Sequence, residues 1–364
     1  ERLTKEYTNS ILTVIVPTYK KLGDFLQNEY LPKTRTTSGY AAMPGGAEKY
    51  AFLVKTNTTT NKTPEEIYQT GLSEVARIRG IMDSIKNAVG FKGDLKAFFE
   101  YMKADKKFMP YHEPKEVIAA FEDIHQRMAP NLKKMFLHEP KTPFEVRQTE
   151  AFRAASASAE YNAGSLEAKR PGIFYVPILE ATKFNTTSGM ESLFLHEAIP
   201  GHHYQISLTQ ENTALPKFRR YGGHNAYVEG WALYCESLGK ELGLYKDPYQ
   251  YMGALGDEIH RAIRLVVDVA IHTKNMSRED AIKYMMDNEA ISEQGATAEI
   301  ERYMAIPGQA LGYKTGAMKI SALRKKYEAS LGDKFNLAEF HNEVLKDGSL
   351  PLAVFEAKMD TWAA

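Results

Sequence analysis

The chain has 364 residues, 43% of them hydrophobic, which allows one large domain or two ordinary ones with a substantial core. Its 46 basic residues balance 46 acidic ones, so no global field draws it to nucleic acid or to an anionic membrane. One cysteine, Cys235, excludes an internal disulfide framework and a multi-cysteine zinc site.

Taken in chain order, Glu1 to Tyr30 reads as a helix already under way, and with no methionine at its head the chain is expected to be a trimmed product, a signal peptide, lipid anchor or upstream domain having been removed. Apolar runs such as Ile11 to Pro17 and Leu265 to Ile271 are far shorter than the roughly 20 residues that span a bilayer, so no membrane-spanning segment is expected. Thr34 to Ala47, rich in Thr, Gly, Ala and Pro, reads as a loop that reaches towards a cleft. Thr63-Pro64-Glu65-Glu66 is a strong helix start, with Thr63 as cap, Pro64 at the first position and Glu66 completing a capping box; this helix should run to about Asn87. Further helices are expected over Leu95 to Ala104, Pro114 to Phe136, Ala226 to Leu242, Tyr249 to His272, Arg278 to Asn288 (capped by Ser277), Pro307 to Leu331 and Leu337 to Leu345. Gly172 to Leu179, β-branched and aromatic, reads as a short strand; it is either an exposed edge able to bind an extended peptide or part of a small structural hairpin. The fold class is therefore mainly α with a small β-sheet near the site, organised as a helical lobe over residues 1–150 and a metal-bearing lobe over 151–364.

The chemistry concentrates in Ser192 to Gln205, SLFLHEAIPGHHYQ, which brings His196, Glu197, His202 and His203 close together. Zinc hydrolases with a His-Glu-x-x-His helix need two imidazoles one turn apart and a carboxylate beside the first as general base. Here the position four after His196 is Pro200, which has no ligating side chain. On an unbroken helix His202 would point about 240° away from His196, while His203 would lie roughly 10 Å further along the axis. Pro200-Gly201 supplies the remedy, because a breaker followed by the most permissive residue lets a bulge absorb two extra residues. The third ligand should be a carboxylate from another helix, and Glu229, in the apolar segment NAYVEGWALYCESLG, fits; a salt bridge to a distant cation is the other way to pay for its burial. Glu236, two turns along the same face, either orients a ligand histidine or is solvated. Tyr227 is a candidate substrate contact.

The combination HEAIPGHH, AYVEGWALYCE, RAIRLVVDVAIH, PGQALGYKTGAMKI and FHNEVLKDGSLPL is similar to the bacterial domain of unknown function 885 family, from the Leu31-Pro32 region to the C-terminus. HEAIPGH also resembles zinc peptidases with a glutamate third ligand, which read HEMGH or, in dipeptidyl peptidase III, HELLGH. In that series Gly-His is the fixed unit, which favours His202 over His203 as ligand and leaves His203 as a supporting or substrate-contacting residue. The resemblance implies a helical fold with a deep cleft, like neurolysin and carboxypeptidase Taq, a bound Zn2+, and a chain that is the C-terminal part of a longer, exported protein of the periplasm or cell envelope.

Related helical zinc peptidases place a late tyrosine over the metal, which makes Tyr313 the candidate oxyanion donor; a core tyrosine with a satisfied hydroxyl is the competing reading. Arg264, Asp268 and His272 follow each other at i to i+4 spacing, either as an intrahelical ion-pair ladder or with Arg264 receiving a substrate carboxylate. The expected function is zinc-dependent hydrolysis of peptides, with Glu197 as general base. Its rivals are a structural-metal or peptide-binding module of the cell envelope and a zinc amidohydrolase of cell-wall peptides.

Overall fold

The computed structural model describes residues 1–165, 167 and 169–364. It contains two compact units, Glu1–Ser38 and Gly39–Ala364. The first is one long helix whose α-helical stretches, Arg2–Ser10 and Val16–Phe25, alternate with π-helical turns before a closing 3-10 turn at Leu31–Lys33. Leu12, Ile15, Tyr19, Leu22 and Leu26 recur along it at three- and four-residue intervals and are exposed.

The second unit is mainly helical. The Pro64–Ala88 helix begins with the capping box expected of Thr63 and Glu66. The helices Leu95–Ala104, Arg278–Asn288 and Leu337–Leu345 take their expected bounds. Three helices carry the rest of the argument: Asn225–Ser237, Pro248–Thr273 and Leu311–Leu331. The first and third cross at their glycines. A Cβ at Gly316 would lie 1.8 Å from the Ala226 carbonyl oxygen, and one at Gly230 would lie 2.5 Å from the Gly316 Cα, so the two backbones touch where side chains would hold them apart. Around this crossing, Phe194, Tyr227, Trp231, Ile320 and Phe355 form part of one continuous buried core.

Several expectations need correction. The Asn225–Ser237 helix stops five residues before Leu242, and the Leu311–Leu331 helix starts after a turn at Gly308, whose φ of 79° ends any helix from Pro307. Helices over Gly46–Thr58, Glu293–Ala305 and Leu352–Ala363 were not foreseen. The expected loop ends in that first helix, and its Tyr40 N–H donates to His272 Nδ1 (3.2 Å), so its Gly39–Met43 part packs on the end of the Pro248–Thr273 helix.

The strand is real but is not an edge. β3 (Gly172–Val176) lies between β1 (Phe144–Gln148), parallel to it, and β2 (Glu160–Asn162), antiparallel. All five β3 residues are buried, as an unbroken apolar run in the middle of a sheet should be, and its backbone is already paired on both sides.

Candidate metal centre

His196 and Glu197 close the short Met190–Glu197 helix. The chain then turns through residues 198–201, with a cis Ile199–Pro200 bond, and a new helix starts at His202. The inserted residues therefore make a complete turn between two helices, not a bulge within one. Gly201 is needed here because a Cβ would lie 1.9 Å from the His196 carbonyl oxygen. The turn is fastened from outside: Trp231 Nε1–H donates to the Pro200 carbonyl (2.8 Å) from the Asn225–Ser237 helix.

That same helix delivers Glu229 between the two imidazoles. Glu229 Oε2 is 3.6 Å from His196 Nε2 and 3.4 Å from His202 Nε2, and the three donor atoms all lie within 4.8 Å of one another. A tetrahedral ion with bonds of about 2.0 to 2.2 Å sets its ligand atoms about 3.3 to 3.6 Å apart, and both Glu229 distances match that spacing. Two imidazoles and a carboxylate are also the donors zinc prefers.

The support behind His196 fits as well. Its Nδ1 is 2.7 Å from Glu236 Oε1, which fixes the tautomer that leaves Nε2 a lone pair. Tyr245 holds this part of the helix by donating its hydroxyl to the Glu236 carbonyl (2.8 Å). Burial disfavours the His196 imidazolium, yet hydrogen bonds to Glu229 and Glu236 outweigh it and push His196 up to about 10. Burial also opposes ionisation of Glu229, but both histidines hold its carboxyl well below the usual carboxylate range. A divalent cation bound among these carboxylates would take the place of that proton.

His203 faces elsewhere. Its Nδ1 is 3.0 Å from the Tyr161 hydroxyl, its ring packs 4.9 Å from Phe144, and burial pushes it down to about 4, so it is a neutral residue of the sheet side. Glu197 is half-buried, and its carboxylate has no hydrogen-bond partner among the described residues, which leaves it free to accept a proton. Tyr227 is fully buried and donates its hydroxyl to the Val344 carbonyl, so it braces the core.

The Pro248–Thr273 residues do not form the expected ladder. This helix is buried on nearly all sides, and Arg264, Asp268 and His272 pair outwards to neighbouring elements. Arg264 donates from Nε to the Tyr303 hydroxyl (2.8 Å) and from Nη2 to Glu299 Oε2 (2.9 Å), and its guanidinium lies 4.8 Å over the Tyr313 ring. Its Nη1 is buried without a partner, and among the described residues the Tyr313 hydroxyl has none either. His272 Nε2 is 3.0 Å from the Tyr303 carbonyl. Asp268, fully buried, accepts from the Tyr50 hydroxyl (2.6 Å) and the Gly308 N–H (3.1 Å).

Burial pushes Asp268 up to about 7 from an ordinary 3.8, against the hydrogen bonds from Tyr50 and Gly308. The unfolded carboxyl loses its proton near 3.8 and the folded one near 7, so between these values the native state binds more protons and stability falls as pH rises. In urea titrations from pH 4 to pH 7 the wild type should lose at most about 1.4 kcal/mol per pH unit from this group, and Asp268→Asn should flatten that slope. Parallel slopes for the two proteins would rule the effect out.

Trp231 and Tyr245 were invisible as site residues in the sequence, because an aromatic in an apolar helix carries no mark of what it touches.

The family profile described as "Bacterial protein of unknown function (DUF885)" matches residues 1–359. The chain belongs to the DUF885 family. The DUF885 chain is similar to the crystal structure of a "putative lipoprotein" from Colwellia psychrerythraea, at 36% identity and a TM-score of 0.93, covering 98% of this chain. A "putative lipoprotein of unknown function" from Shewanella oneidensis shares the fold at 23% identity and a TM-score of 0.76, over 92% of this chain. The DUF885 chain spans 61% of the length of each of these two proteins. No curated protein matches it significantly. No helix among the described residues is long and apolar enough to cross a membrane.

Proposed function

We propose that this DUF885 chain is a zinc-dependent peptidase, with His196, His202 and Glu229 as metal ligands and Glu197 as general base. The observation that carries the reading is the convergence of those three donor atoms within 4.8 Å, one residue from an unpaired carboxylate. A bound zinc ion supplies Lewis acidity, polarising the scissile carbonyl and making a water acidic enough to be deprotonated near neutral pH. Glu197 takes the proton from the attacking water and returns it to the leaving amine. Glu236 keeps His196 in the ligating tautomer. The free Tyr313 hydroxyl donates to the developing oxyanion, and the unpartnered Arg264 Nη1 receives a substrate carboxylate.

A structural metal normally takes four protein ligands; the engagement of His203 with Tyr161 leaves three, which favours a catalytic site with an open position. The deep, zinc-peptidase-like cleft and the lobe division near residue 150 belong to the same proposal, as does an envelope location, for which the support is the lipoprotein description of two similar proteins.

Metal analysis of the purified chain, combined with a peptide-library digest read by mass spectrometry, tests this. Stoichiometric zinc is expected in the wild type and in His203→Ala, but not in His202→Ala or Glu229→Ala. Zinc retained by all of these variants would refute the ligand set, and an uncut library would refute the peptidase. Glu236→Ala should weaken zinc binding by about 10- to 100-fold in chelator competition, with Glu236→Gln, which still offers an acceptor, recovering part of the loss. An unchanged affinity in Glu236→Ala would remove Glu236 from the site.

A further inference from the structure

A cavity of about 710 Å³ opens beside the Pro248–Thr273 helix, and none of the three metal donors lines it. Part of its lining is apolar: Met82, Phe99, Met102, Met252 and Ile291. Thioether side chains adapt to bodies of differing shape. The rest of the lining includes ionisable groups, and its carboxylates have partners. Glu289 Oε2 lies 2.8 Å from His260 Nδ1, while Asp257 accepts from the Ser192 hydroxyl and lies 3.5 Å from Arg261 Nη1. Arg261 keeps a donor that this pairing does not use. Its Nε is buried without a partner among the described residues, and two exposed lysines border the same space, Lys103 and Lys183, the latter paired with Glu180 (2.7 Å).

A hollow of this size, partly apolar and with a guanidinium in its lining, has the usual form of a small-molecule site. A planar guanidinium with an unused donor recognises a carboxylate better than any neutral group. We propose that this cavity binds a small carboxylate with an apolar chain or side chain, its body against the methionines and its charged head on Arg261. None of the three metal donors lines the cavity, and the proposal does not depend on the peptidase reading.

Gly256 offers a way to close it. A Cβ there meets nothing within 4 Å, and the residue sits inside a helix, where replacing glycine favours the folded backbone. Isothermal titration of the purified 364-residue chain with octanoate and with octanamide tests the proposal. Octanoate should bind at least about tenfold more tightly than the uncharged probe. Gly256→Leu should abolish octanoate binding with a melting temperature no lower than wild type, and Arg261→Gln should erase the preference for octanoate while leaving octanamide binding in place. Equal affinity for the two probes overturns the anionic head. Failure of octanoate to bind, or undiminished binding by Gly256→Leu, overturns the site.

Discussion

Glu197→Gln is expected to bind zinc as the wild type does and to hydrolyse peptides about 10²- to 10⁴-fold more slowly. The substitution keeps the size of the side chain and removes only its ability to take a proton. Glu197 is the last residue of its helix and has no hydrogen-bond partner to lose, so the fold should not register the change. His196, its neighbour, is held by Glu236 and Glu229, which the substitution leaves in place. The loss should therefore appear in kcat with KM little altered, since the missing interaction forms only as the water is deprotonated. Zinc content measured on the same preparation separates loss of the base from loss of the metal. A Glu197→Gln protein that turns over peptides at the wild-type rate would end the general-base assignment.

Gly316→Val is expected to lower stability by about 3 kcal/mol or more. The Ala226 carbonyl oxygen sits 1.8 Å from where the new Cβ would be, and the Gly230 Cα is 2.8 Å away. Both obstacles are backbone, so no rotamer change relieves them and the two helices must separate. Glu229 lies next to Gly230 and Tyr313 three residues before Gly316, so separation should weaken zinc binding together with thermal stability. A melting temperature within a degree or two of wild type would mean that the crossing is looser than described.

The parts of the fold that the sequence made legible are those governed by local chemistry. The Thr63 capping box and the amphipathic Leu95–Ala104 stretch specify their own ends, and both helices begin where expected. The Glu293–Ala305 helix was missed because Gly295 and a mostly polar first turn blur its periodicity, although Ser292 caps the Gly295 amide. The β3 run was read as a possible edge when its lack of polar alternation already pointed to an interior strand.

At the candidate metal centre, residue types and spacing pointed to the residues that the fold brings together, and the three-dimensional turn places His202 rather than His203 beside Glu229. Glu236 was legible because it shares a helical face with Glu229; Trp231 was not, because its partner is a backbone carbonyl remote in sequence. The Arg264, Asp268 and His272 series misled for a related reason: i to i+4 pairing presumes a solvent face, and this helix has almost none, so each residue pairs with whatever packs on it.

One helix supplies the Glu229 carboxylate, a fastener in Trp231 and a brace in Glu236, so the proposed coordination sphere would be assembled by the docking of a single rod against the HEAIPGHH turn. The connection from Asn212 to His224 then carries none of the proposed ligands, so its length would be free to drift among kin. Searches that demand a fixed interval between the second histidine and the glutamate would pass over such kin, whereas the internal Glu-x-Trp-x4-Glu register of the rod would find them.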